Sequence, residues 1–183
     1  MSAASFSELP PLLGPRAALR PAQAADRAAF IAAAQASVTL HSPWVTAPSD
    51  EAAFDAWIKN AGPSFHPLLL VSQDDGGLVG VYNLSQIVLG NFCSAYLGAY
   101  AFAPFAGRGL MAEGLGLLLQ HAFDRVGLHR VEANIQPGNT RSLRLFEHGG
   151  FKLEGRSPRY LRINGEWCDH ERWALTVEDW RPS

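Results

Sequence analysis

A glycine-rich turn is the first place in this sequence where chemistry can be located. Ala106-Gly107-Arg108-Gly109-Leu110-Met111 stands between a strand pattern and an amphipathic helix pattern. Backbone N–H groups at a helix start lack intrahelical acceptors, and the helix dipole is positive there, so such a turn can hold a phosphate. Glycine lets the backbone approach an anion closely. Arg108 adds positive charge if it points outward. A tight strand-to-helix turn that holds no ligand fits the same residues. The turn is not a P-loop, since no Gly-Lys-Ser/Thr follows. It is not a dinucleotide fingerprint either, since the third glycine is missing and the preceding strands read as hairpins.

Two further groupings can move protons. Glu132, Asn134 and Gln136 alternate, so they share one face of a strand. Asn134 can orient a water but cannot itself be a base. Asn164-Gly165 is the strongest short hairpin signal in the chain. Counting outward from a two-residue turn pairs Tyr160 with Asp169, and Arg159 with His170. Asp169 can then bond the Tyr160 hydroxyl. His170 brings an imidazole, the side-chain type suited to proton transfer near neutral pH. An ordinary cross-strand pair explains both residues equally well. His41, His66, His121, His129 and His148 show no metal spacing and read as structural. Cys93 and Cys168 form no C-x-x-C set and read as free thiols, so no metal is expected.

The elements that must position these residues follow from periodicity. Residues 1–15, rich in Pro, Ser and Leu, read as an irregular lead-in, and 16–183 as a single domain. Leu19-Arg20-Pro21 ends a first strand, and Asp26 can cap a helix through Ala34. His41 to Val45 breaks that helix, and Ser49 or Asp50 opens a second one carrying Phe54, Trp57 and Ile58. Leu68–Val71, Val79–Val88 and Cys93–Ala103 read as strands. Leu115, Leu118, Leu119, Ala122, Phe123 and Val126 recur at helical spacing. Leu128–Gln136 returns to strand, Asn139 or Thr140 opens a helix that ends at Gly149-Gly150, and a hairpin closes the chain. This order makes an α+β layout around a mixed, mostly antiparallel sheet flanked by helices.

Composition narrows the class. The 183 residues are 48% apolar and 17% charged, with a net charge of −2. That excludes a disordered chain and provides no basic face for direct nucleic-acid binding. No apolar run reaches the roughly 18 residues of a membrane-spanning helix. The start lacks the pattern of a signal peptide, so a bacterial cytoplasm is the expected compartment. Monomer and homodimer both stay open.

A resemblance joins these features. The strand, Gly107-Arg108-Gly109, the helix and strand after it, Pro137-Gly138-Asn139-x-x-Ser142, the next helix and Gly150-Phe151 together resemble the coenzyme-A core of the GNAT acetyltransferases. The strings Leu128-His129-Arg130-Val131-Glu132-Ala133-Asn134, Phe151-x-x-Glu154-Gly155 and Tyr160-Leu161-x-Ile163-x-Gly165-x-Trp167-x-Asp169-His170 are similar to the bacterial ribosomal-protein-alanine N-acetyltransferases. The resemblance extends from about Leu19 to Trp180.

It implies the GNAT fold, with acetyl-CoA as cosubstrate. Tyr100, Ala101 and Phe102 would border the pantetheine arm. The amides of Gly107, Arg108, Gly109, Leu110, Met111 and Ala112 would hold the pyrophosphate, and Asn139 would brace the splayed strand. Two positions depart from the family: Ala106 replaces Gln or Arg, and Met111 replaces a small residue. Many members donate a proton to the leaving thiolate from a Tyr, but Phe146 stands at that position. Ser142 lies one helical turn earlier, so it takes the donor role by resemblance. A Ser that merely bonds backbone in the first turn is the alternative. Trp44 falls in the segment that borders the acceptor groove in relatives, although plain core packing fits it too. The implied acceptor is a protein N-terminus. A small amine or antibiotic, or coenzyme binding without chemistry, are the alternatives.

Overall fold

The computed structural model describes residues 6–180. Among these residues, eight strands form one sheet: β1 (Leu12–Leu13), β2 (Ala17–Pro21), β3 (Phe65–Ser72), β4 (Leu78–Val88), β5 (Ser94–Ala101), β6 (Arg130–Ile135), β7 (Lys152–Ile163) and β8 (Glu166–Thr176). Their spatial order is β1-β2-β3-β4-β5-β6-β8-β7. Every neighbouring pair is antiparallel except β5 and β6, which run parallel.

Alternation along the central strands sends side chains to two opposite cores. On β3, Leu68 and Leu70 enter one apolar cluster, and Leu69, between them, enters the other. The first cluster packs under helix α4 (Leu110–Gln120) and helix α5 (Thr140–His148). The second is covered by α1 (Arg27–Ala36) and α3 (Glu51–Lys59), whose Phe30 and Phe54 are fully buried. A four-residue helix, α2 (Val38–His41), links α1 to the loop at Pro43. Gly114 allows α4 to lie close on the sheet, because a Cβ there would meet Leu70 Cδ2 at 2.5 Å. The end of α4 widens into a π-turn over His121–Arg125.

Three local readings change. The sheet begins inside the stretch expected to be irregular: Leu12 pairs with Leu19, Leu13 pairs with Ala18, and Leu12 is buried. Residues 1–5 of that lead-in lie outside the described residues. Asp26 precedes α1, but its carboxylate does not cap the helix. It accepts from Arg20 and from the Gln23 amide. The closing hairpin keeps its two-residue turn but slips after three pairs. Leu161 faces Cys168, and beyond a bulge Ser157 faces His170. Pro158 and Arg159 lie in that bulge, and Arg159 adopts φ +47°. Neither expected pair, Tyr160–Asp169 or Arg159–His170, therefore forms. Proline cannot donate to a ladder, which is why the irregularity settles there.

Candidate active site

The parallel pair β5 and β6 is short. Ser94, Ala95 and Tyr96 face Arg130, Val131 and Glu132, and there the ladder ends. Beyond it the strands splay, and a cavity of about 900 Å³ opens between them. One wall is β5 from Leu97 to Ala101, and the other is Asn134, Ile135 and Gln136. The sheet's edge groups are thus exposed to the cavity instead of to each other. Tyr100 and Ala101 line it. Phe102 does not. Its side chain is fully buried in the second core, and its amide donates to the Val79 carbonyl at 2.8 Å. His41 donates from Nε2 to the Ala101 carbonyl at 2.9 Å and so fixes the end of β5.

At one end of the cavity stands the glycine turn. Gly107 and Gly109 have φ of +77° and +79°, conformations that strain a residue with a side chain. The first amides of α4 to find an acceptor are those of Ala112 and Glu113, both on the Gly109 carbonyl at 3.2 Å. The amides from Gly107 to Met111 meet no acceptor among the described residues. That set is what an anion needs, while the Ala112 amide is already committed. Gly107, Gly109, Met111 and Ala112 line the cavity. Leu110 is buried below it. The Arg108 side chain turns away, with its guanidinium 5.4 Å over the Phe105 ring.

The other side of the cavity is the start of α5. Asn139 caps this helix by accepting the Ser142 amide at 3.2 Å. The Ser142 hydroxyl makes no hydrogen bond among the described residues. Ser142 and Phe146, one turn apart, both line the cavity. Asn134 lines it too, and its Oδ1 is buried without a partner. Glu132, on the same strand face, is engaged by Arg130 at 2.8 Å and lines neither cavity described here.

His170 is buried and faces the cavity. Its Nδ1 lies 3.0 Å from the Cys168 carbonyl. A carbonyl only accepts, so Nδ1 carries the proton of the neutral ring and Nε2 carries the lone pair. Asp169 lines neither cavity. Its carboxylate accepts from the Arg159 amide at 2.9 Å and from Arg156 at 2.8 Å, and these bonds hold it below the usual carboxylate range. It fixes the bulge and does not bond Tyr160.

A second cavity of about 310 Å³ shares Leu97, Gly98 and Asn134 with the first. Tyr160 lines it together with Ser85, Gln86 and Tyr96. The Tyr160 hydroxyl beside Tyr96, together with burial, pushes the Tyr96 phenol up to about 12. Sequence spacing does not announce Tyr96, because its partner lies 64 positions away across the β7 bulge. Trp44 lines the main cavity and packs on the Pro-Gly-Asn loop, where a Cβ on Gly138 would be 3.0 Å from its ring. The hairpin tip closes on the same segment: Thr46 donates to Asn164 Oδ1 at 2.7 Å, and Asn164 donates to the Pro43 carbonyl at 3.2 Å. No Asp or Glu lines either cavity. Among the described residues no cluster of metal-ligating side chains occurs, and no helix is long and apolar enough to cross a membrane.

Residues 16–152 match the acetyltransferase (GNAT) domain family. The chain belongs to that family. As a GNAT protein it is 39% identical over 113 residues to the [ribosomal protein uS5]-alanine N-acetyltransferase of Escherichia coli (strain K12). The match covers 62% of this chain and 58% of that enzyme's length. It is 35% identical over 115 residues to the probable N-acetyltransferase YjcK of Bacillus subtilis (strain 168), covering 63% of each. Among solved structures, Mycobacterium smegmatis RimJ in complex with CoA-disulfide superposes with a TM-score of 0.79 at 28% identity, covering 91% of this chain and 85% of that one. The mixed eight-stranded sheet flanked by helices is thus the GNAT fold.

Proposed function

We propose that the protein is an acetyl-CoA-dependent N-acetyltransferase whose acceptor is the N-terminal α-amine of a protein, a ribosomal protein foremost. The observation that carries this reading is the meeting of two cavities at Asn134. A donor in the larger cavity and an acceptor in the smaller one would touch there, which suits direct transfer in a ternary complex. The residues fit the coenzyme. Free amides from Gly107 to Met111 suit its phosphates, and the unpaired β5 edge suits its amide-bearing arm. Bound acetyl-CoA supplies an activated acyl carbonyl and a sulfur leaving group.

The chain's own groups do the rest. His170 Nε2 takes a proton from the attacking amine, directly or through water. Asn134 Oδ1, buried and unsatisfied, accepts a hydrogen bond from the amine or that water. Ser142 gives its hydroxyl proton to the departing sulfur, and solvent restores both groups. Phe146 has no proton to give, so the donor role falls to Ser142. The acceptor follows from charge. Walls without a carboxylate do not favour a polycationic amine. They suit a peptide end, which carries a single ammonium that is readily neutralised. Mass spectrometry of protein N-termini from cells with and without the protein tests this. An N-terminus acetylated only when the protein is present supports the reading, and an unchanged set contradicts it.

A further inference from the structure

The family reading assigns phosphate binding to the amides from Gly107 to Ala112, and Arg108 adds positive charge there if it points outward. The structure turns Arg108 toward Phe105 and Asp75 instead. The Arg16 guanidinium reaches the turn. We propose that Arg16, held in place by Glu113, is the cation of the coenzyme's phosphate site. This inference rests on the coenzyme reading of the turn.

Three contacts fix Arg16. Glu113, in the first turn of α4, accepts the Arg16 amide at 2.8 Å and the Ala17 amide at 2.9 Å through Oε1. Its Oε2 takes Arg16 Nε at 3.1 Å. Burial of Glu113 opposes its charge, but these three bonds prevail and hold the carboxyl below its ordinary range. Arg16 Nη1 then donates to the Arg108 carbonyl at 3.3 Å, inside the turn itself. The remaining nitrogen, Nη2, lies against Gly109, where a Cβ would be 3.5 Å from it. Nη2 has no acceptor among the described residues. A planar guanidinium anchored on two of its edges keeps the third as a preorganised donor, and phosphate is the anion that such a fork fits best. Glu113 thus acts as a positioning residue. It ties the start of β2 to the head of α4.

The test is calorimetric titration of coenzyme A into the wild-type protein and into Arg16→Gln, Arg108→Gln and Glu113→Gln, at low and at moderate salt. Arg16→Gln should weaken binding about tenfold or more and flatten its salt dependence, as loss of a charge-assisted phosphate contact does. Arg108→Gln keeps the backbone amide of the turn and removes only a guanidinium directed over Phe105, so it should lose clearly less affinity than Arg16→Gln. Glu113→Gln should fall between them, and adding it to Arg16→Gln should cost little more, because the two act as one unit. Wild-type affinity in a folded Arg16→Gln protein, or an equal loss in Arg108→Gln, overturns the proposal. Should Arg16→Gln fail to fold, Glu113→Gln decides, and unchanged affinity there overturns it. A wild-type protein that does not bind coenzyme A at all contradicts the underlying coenzyme reading instead.

Discussion

Asn139 accepts the amide hydrogen of Ser142 at 3.2 Å, and that bond leaves the Ser142 hydroxyl unengaged at the cavity wall. The Asn139 side chain satisfies the backbone, and the proposed role of Ser142 uses its own unengaged side chain. Ser142→Ala should therefore lower kcat by about 10²–10⁴-fold, the usual worth of a proton donor, with little change in coenzyme affinity. Phe146→Tyr in the same background should restore part of the rate, because Phe146 lines the cavity one turn away. Steady-state rates and coenzyme titration together check this, and wild-type turnover in Ser142→Ala would make that serine structural.

The hydrogen bond from His170 Nδ1 to the Cys168 carbonyl sets the tautomer that leaves Nε2 free. His170→Gln removes that lone pair while keeping a polar side chain. It should lower kcat/KM by about 10²-fold or more. The loss should shrink as pH rises and more of the amine arrives neutral. A rate measured across pH on one peptide checks the trend, and a loss constant with pH would point to packing.

Coenzyme binding should stabilise the fold. At 100 times its dissociation constant, a ligand adds about 2.7 kcal/mol. Gly109→Val should abolish the thermal shift, because valine is strained at the φ of +79° that Gly109 adopts. A shift retained in Gly109→Val would show that the turn is not where the ligand binds.

How much of this is legible in the sequence depends on how local the signal is. Helix α5 and its cap could be read from Pro137-Gly138-Asn139 because capping involves only three residues. The glycine turn was legible for the same reason. The hairpin turn at Asn164-Gly165 was also legible, but the pairing beyond it was not. A bulge at Pro158 and Arg159 depends on Asp169 accepting the Arg159 amide, a contact that the turn does not encode. Arg16 lies 97 positions from Glu113, so no spacing argument reaches it. Phe102 reads as a strand residue beside the coenzyme, yet the strand's end turns it into the core.

Away from the site, His66 Nδ1 lies 2.9 Å from His121 Nε2 in the core, with Phe6 stacked on His66. Burial lowers both imidazoles from 6.5 to about 4. Between those values the unfolded chain binds more protons than the folded one, so stability must fall as pH falls. The loss begins below about 6.5 and stops growing below about 4. Denaturant midpoints measured across that window should decline, and the decline should be shallower in His66→Phe. An equal slope in the variant would assign the acid sensitivity elsewhere.

The proposed acceptor, an N-terminal α-amine, differs from a lysine in how readily it is neutral. At pH 7.5 an α-amine of pKa about 7.8 is roughly one-third neutral, whereas a lysine of pKa about 10.4 is about 0.1% neutral. No carboxylate lines the cavities to hold a second positive charge. The most direct measurement is kcat/KM on paired peptides, one with a free N-terminus and blocked lysine, the other with the reverse. The free N-terminus should be preferred by at least about a hundredfold, from the neutral fraction alone. A higher kcat/KM on the lysine peptide would contradict it.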